Sequence, residues 1–175
     1  MKKLIHIIIL ITIFVLCVFA FVYLAQEKKT SESSGALINK KIPIFQIENL
    51  FNTNEILTNK DLKNKFVLVN FFSSWCAPCK GEHSLFFEIN KDLPNLFLLG
   101  INYKDEIKNA EKYLITEGNP YSFVGLDRGG MISLEFDIIG LPETILINKE
   151  GMIIYRHLGP LTKKVINNEI RPFFQ

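Results

Sequence analysis

Two cysteines two residues apart, Cys76 and Cys79, are the residues of this chain whose type and spacing most directly imply chemistry. They stand in Ser73-Ser74-Trp75-Cys76-Ala77-Pro78-Cys79-Lys80, directly after an apolar run of strand character. If a helix begins after Trp75, Cys76 lies at its N-terminal end. Unpaired backbone N–H groups and the positive end of the helix dipole there favour a thiolate. Cys76 is therefore the expected nucleophile. Cys79, one turn further in and less exposed, can close a disulfide with it and is the expected resolving thiol. Pro78 suits a first helical turn, where the N–H it lacks has no helical partner.

Other chemistries use the same spacing. Covalent haem attachment needs a His after the second cysteine, and that position is Lys80. A zinc site needs four ligands, but the remaining cysteine, Cys17, lies in an apolar N-terminal run, leaving His83 and His157 to complete a set. A purely structural bridge is a further reading, weakened because so short a loop removes little unfolded-chain entropy. Two acids accompany the cysteines. Glu82 follows Cys79 by three residues, hence on the same helix face, and Glu143 follows Pro142. A carboxylate near a thiol disfavours the thiolate and can accept or return its proton, so both are candidate catalytic residues. The alternative for Glu82 is a first-turn charge facing water. His83 reads as a helix-surface residue, and His157 as a strand residue in a polar patch with Arg156.

Around this centre the pattern predicts strands alternating with helices. Residues 43–47 read as a short edge strand, and 51–65 as turn-rich with one helical turn near Asp61-Leu62. Residues 66–72, apolar on both faces apart from Asn70, read as the buried centre of a sheet. Leu85, Phe86, Ile89 and Leu93 share a helix face that ends at Pro94, and residues 96–101 form another buried strand. Ile107, Ala110 and Leu114 line a helix closed by Gly118. A strand over 121–126, a short helix over 131–136, a hairpin of 143–147 with 152–157, and a final helix from Thr162 to Pro172 complete the chain. This order implies an α/β sandwich of three layers with a mixed central sheet. With a Cys-x-x-Cys ending a central strand, a thioredoxin-like fold is the natural proposal. In thioredoxin-like proteins a proline placed as Pro142 is cis and faces the dithiol, with the preceding backbone, here Leu141, as an edge for extended substrate. A trans proline starting a strand is the plainer alternative.

Composition sets the address. A chain of 175 residues with 48% hydrophobic content suits one globular domain plus an apolar segment outside it. Residues 7–25 are apolar apart from Thr12 and Tyr23, long enough to span a bilayer, and follow Lys2 and Lys3. They form either a signal peptide or an uncleaved anchor. Their length and the lack of a small-x-small cleavage site favour the anchor. Lys28 and Lys29 offset Lys2 and Lys3 under the positive-inside rule, and export of the dithiol domain is the expectation. The division expected is a transmembrane helix over 1–25, a tether over 26–41 and a thioredoxin-like domain over 42–175. A net charge of +2 with no basic run beyond the N-terminal flank gives no support to a nucleic-acid partner.

The chain resembles the membrane-anchored thioredoxin-like proteins of cytochrome c maturation, the DsbE/CcmG family of thiol:disulfide interchange proteins. The matching blocks are Ser74 to Cys79 with Glu82-His83, Gly100-Ile101-Asn102-Tyr103-Lys104-Asp105, Gly118-Asn119-Pro120-Tyr121, Gly140 to Thr144, and Gly151 to Pro160. They run in order over almost the whole domain. Ser73 departs from a common alanine. The resemblance implies a protein-disulfide reductase of the bacterial inner membrane with its domain in the periplasm. It implies apocytochrome c as client and a membrane thiol transporter of the DsbD or CcdA type as electron donor. Cys76 and Cys79 would carry the chemistry without cofactor or metal, and Trp75, Leu141 and Pro142 are the expected substrate-binding residues. Neighbouring possibilities are a general reductase of the TlpA or ResA kind, a peroxiredoxin-type peroxidase, and a non-enzymatic binding module or metallochaperone.

Overall fold

Seven consecutive strand-forming residues, six of them apolar, make β3 (Phe66–Phe72), with every position but the first buried. Alternate side chains must leave such a strand on opposite faces. Val67, Val69 and Phe71 enter one hydrophobic cluster, and Leu68 and Phe72 the other. This computed structural model describes residues 6, 11–20 and 37–174. The chain divides into two units, Met1–Ser33 and Ser34–Gln175.

In the first unit residues 11–20 are helical and exposed. Among the described residues no helix is long and apolar enough to cross a membrane. Apart from residue 6, the rest of the expected span over 1–25 lies outside the described residues, as do residues 26–36 of the expected tether.

The second unit has a five-stranded mixed sheet in the order β5-β4-β3-β6-β7. Its strands are β3, β4 (Leu96–Tyr103), β5 (Phe123–Asp127), β6 (Glu143–Ile147) and β7 (Ile153–Leu158). The pairs β3/β4 and β4/β5 are parallel, while β3/β6 and β6/β7 are antiparallel. Helix α1 (Ala77–Asp92) crosses from β3 to β4, and α2 (Ile107–Glu117) from β4 to β5. One cluster joins Phe86 and Ile89 of α1, Ala110 and Leu114 of α2, and Ile166 and Ile170 near the C-terminus. The opposite face is covered by Phe45, Ile47 and Leu57 and by Phe136, which follows α3 (Met131–Glu135). The layers and mixed sheet agree with the pattern read from the sequence.

The departures are local. The 43–47 segment contributes only β1 (Gln46–Glu48), which pairs with β2 (Ile56–Thr58) in a separate two-stranded sheet. The turn-rich segment thus hides a strand too short for alternation to show, and turns replace the helical turn expected at Asp61-Leu62. The final helix is α4 (Lys163–Val165), capped by the Thr162 hydroxyl. It widens to a π-turn over Ile166–Ile170 and tightens to a 3-10 turn over Arg171–Phe174, so Pro172 lies inside the last turn and does not end the helix. Residues 37–41, expected as the end of a tether, belong to the fold. Asn39 N–H donates to the Ile153 carbonyl, Ile153 N–H donates to Lys40, and Leu37 packs on the core. On the opposite sheet edge, Leu50 N–H donates to Val124.

Gly125 of β5 permits that crossing. A Cβ there would collide with Ile47 Cδ1 and lie 2.8 Å from its Cγ1. Because Ile47 is itself buried, Gly125→Ala is expected to cost about 1–3 kcal/mol in urea denaturation, as overpacked cores do.

Candidate active site

The turn Ser73-Ser74-Trp75 between β3 and α1 is held from the neighbouring strand. Ser73 Oγ donates to the Tyr103 carbonyl. Asp105 accepts from the Ser74 backbone N–H, Ser74 Oγ, Asn102 Nδ2 and the Glu106 N–H. Trp75 Nε1 donates to the Lys104 carbonyl at 3.3 Å, leaving the indole 60% exposed. One carboxylate thus fixes the entry into α1. The Asn102-Tyr103-Lys104-Asp105 block carried the family likeness without an assigned task, and this is the task the geometry gives it.

Cys76 is the N-cap of α1, and its sulfur accepts the Cys79 N–H at 3.2 Å. Cys76 and Cys79 are joined in a disulfide with Cα atoms 5.3 Å apart. Both residues are buried to nearly the same degree, so residue exposure does not separate them as expected. What separates them is a groove of about 370 Å³, walled by Trp75, Cys76, Pro78, Tyr103, Ile139 and Leu141, which Cys76 lines and Cys79 does not. Of the two cysteines, Cys76 is the one that borders this groove. The Leu141–Pro142 bond is cis, with Leu141 on the groove wall and Pro142 buried behind it.

Glu82 is 1% exposed, which rules out a solvated first-turn charge. Its Oε1 accepts from Asn70 Nδ2 at 2.8 Å and its Oε2 from the Leu161 backbone N–H. Burial raises its pKa from an ordinary 4.5 to about 7, against the lowering effect of those two donors. Asn70 Nδ2 also donates to Thr144 Oγ1, and Tyr121 donates its hydroxyl to Asn70 Oδ1 at 2.8 Å. Glu143 is fully buried on the opposite face of the sheet. There it pairs with Arg156 and accepts the Ile139 N–H at 3.3 Å. Burial raises its pKa while Arg156 opposes the rise. Arg156 also donates to the Asp137 carbonyl, so this pair fixes the loop that carries Ile138 and Ile139 into the groove.

The histidines differ from expectation. His83 is buried, with Nε2 3.0 Å from the Gly118 carbonyl and its ring 4.9 Å from that of Tyr113, because α1 packs there against the end of α2. His157 shares no patch with Arg156, since successive strand residues point to opposite faces. It sits with Tyr155, 3.3 Å from the phenol oxygen. Among the described residues no three His, Cys, Asp or Glu are grouped to hold a metal ion.

Comparison with known proteins accounts for this arrangement. The Redoxin family model matches residues 37–170. The chain is 36% identical to the thiol:disulfide interchange protein DsbE of Tatumella citrea over 80% of this chain and 75% of the relative. It is 34% identical to DsbE of Escherichia coli K12, over 86% and 81%. This chain belongs to the DsbE family of thiol:disulfide interchange proteins. A thioredoxin domain of a Bacteroides vulgatus thiol-disulfide oxidoreductase superposes with a TM-score of 0.68 at 19% identity, covering 79% of this chain and 98% of that one, and shows the fold. The chain is thus a disulfide oxidoreductase with a thioredoxin-like fold.

Two outcomes follow for this DsbE-family site. Because Glu82 has a raised pKa in the folded state, its contribution to stability is full below pH 4.5 and lost as pH rises through about 7. At about 1.36 kcal/mol for each pH interval of one, the loss is roughly 3 kcal/mol. Glu82→Gln is expected to flatten that part of the stability profile in denaturation at pH 4 to 8. Asp105→Ala takes the acceptor from the half-buried Ser74 N–H and from the buried Asn102 amide and is expected to cost roughly 1–3 kcal/mol. The emission of Trp75, the single tryptophan, should shift as its turn loosens.

Proposed function

We propose that this DsbE-family chain is a membrane-tethered reductase of the periplasm that opens the haem-site disulfide of apocytochrome c before haem attachment. The observation that carries the reading is Cys76 on the wall of a groove bounded by Trp75 and by Leu141, whose bond to Pro142 is cis. Such a groove suits an extended peptide whose backbone pairs along Leu141.

In the reduced protein the Cys76 thiolate attacks one client sulfur, forms a mixed disulfide and expels the other client sulfur as a thiolate, which takes up a proton. The Cys79 thiol then gives its proton to the Glu82 carboxylate, and its sulfur attacks Cys76. The Cys76–Cys79 bridge closes, and the second client thiolate leaves and is protonated. Two electrons pass to the client, and the bridged state is the product. A membrane thiol transporter of the DsbD or CcdA type returns the electrons. Glu82 supports this role because its pKa near 7 lets it both take and release a proton at neutral pH. Glu143, ion-paired with Arg156 on the far face of the sheet, acts on the groove as a positioning residue through Ile139. Trp75 and Leu141 receive the client, and the cis Pro142 behind Leu141 sets the course of that edge. The chemistry needs no cofactor or metal beyond the cysteine pair.

Residues 7–25 would hold the protein to the inner membrane. Their apolar sequence and the helical, exposed residues 11–20 support that placement. Cys17 is a free exposed thiol in that helix.

Replacing Cys79 with Ser should arrest the reaction at the mixed disulfide. Mass spectrometry of the trapped adducts is expected to find peptides carrying the haem-site cysteine pair of apocytochrome c. Adducts made up only of other clients would reject the proposed substrate while leaving the exchange chemistry intact.

A further inference from the structure

β3 carries one polar side chain, and it stands under α1 where an apolar residue would otherwise complete the core. Asn70 is 1% exposed, and each of its hydrogen-bonding groups is engaged. The amide can turn either way, so something must decide which end meets Glu82. A carboxylate accepts from the nitrogen end and is repelled by the oxygen end. Tyr121 supplies the decision from the other side. Its hydroxyl donates to Oδ1, and complete burial pushes its pKa well above 10, so the phenol stays a donor. Thr144 Oγ1 takes the second amide hydrogen.

We propose that Asn70 is a positioning residue of disulfide exchange, its amide oriented by Tyr121 so that a donor always faces Glu82 while Leu161 N–H holds the other carboxylate oxygen. This rests on the proton-accepting part given to Glu82 above. Both donors to Glu82 are uncharged, so they satisfy the carboxylate without the permanent counter-charge that Arg156 gives Glu143. The arrangement keeps Glu82 able to exist as a carboxylate inside the core and to accept a proton when Cys79 releases one. Without Asn70 only the Leu161 N–H remains, and the desolvated charge becomes harder to sustain.

The same contacts reach the groove. Thr144 lies two residues after the cis proline, and Gly159 N–H donates to the Pro142 carbonyl two residues before Leu161 meets Glu82. Asn70 and the 159–161 segment therefore tie the wall that receives a client to the group that takes the proton. The titratable groups that feel the charge of Glu82 are Tyr121 and Tyr113 of α2, and Cys79 is buried three residues before it on the same helix. The two phenols are pushed up by burial and stay neutral. His83, packed against both rings, is tied to the Gly118 carbonyl.

The test follows the Glu82 carboxyl band by infrared titration of the full chain in detergent, with the band assigned by its absence in Glu82→Gln. In parallel, the pH profile of exchange is measured with glutathione disulfide, a probe independent of the client's identity. Asn70→Leu is expected to raise the carboxyl midpoint by at least one pH interval and to carry the midpoint of the exchange profile upward with it. Tyr121→Phe leaves a well-packed ring and frees the amide to turn, so a smaller upward move in both is expected. If Asn70→Leu does not fold, Tyr121→Phe alone decides. Midpoints unmoved in a folded variant, with only stability reduced, would make the amide merely structural and overturn the proposal. A carboxyl midpoint that moves while the exchange profile stays in place would overturn it as well. Failure to trap apocytochrome c peptides with Cys79→Ser bears on the client alone.

Discussion

A carboxylate sealed beneath a helix must have its charge met by groups the fold can place there, and Glu82 is met by two neutral N–H donors. Much of the domain's polar interior exists to supply them. Asn70 interrupts an otherwise apolar strand, Thr144 and Tyr121 complete the amide's bonds, and the segment after β7 bends in so that Leu161 can donate. Glu143 shows the other solution on the far side of the same sheet. There a guanidinium shares the carboxylate's site, and the pair clamps a loop. The two buried acids thus have different partners, and only the one with neutral partners lies on the face of the sheet that α1 covers with the cysteines.

The larger elements were legible because their signals are long. β3 begins and ends as its apolar run does, α1 stops before Pro94, and α2 ends at Gly118, whose φ of 87° suits a residue without a side chain. The pairing of Cys76 with Cys79 and the cis bond before Pro142 also match what the residues and the resemblance implied. β2 was missed because three residues carry no usable period. His83 reads as a surface residue from α1 alone, because its cover comes from Tyr113 and the Gly118 turn at the end of α2.

The site's hidden part lies in contacts between residues far apart in sequence. Asp105 holds Ser74 across 31 positions, and Leu161 reaches Glu82 across 79. No periodicity encodes either contact. Asn70 was visible as an exception inside an apolar strand, a signal that marks a position without saying what it binds. The raised pKa of Glu82 likewise depends on burial, which local sequence does not reveal for a polar residue near a helix start.

The segment from residue 37 to residue 50 has a consequence beyond completing the core. It touches β7 through Asn39, Lys40 and Lys41, passes under the sheet, and touches β5 through Asn49 and Leu50. Both outer strands therefore have part of their backbone ladder occupied by the protein's own chain. An oxidoreductase that meets extended polypeptides risks having them zip onto any bare strand and stay there. With its flanks guarded in this way, the fold leaves fewer backbone groups on either outer strand for another chain to pair with.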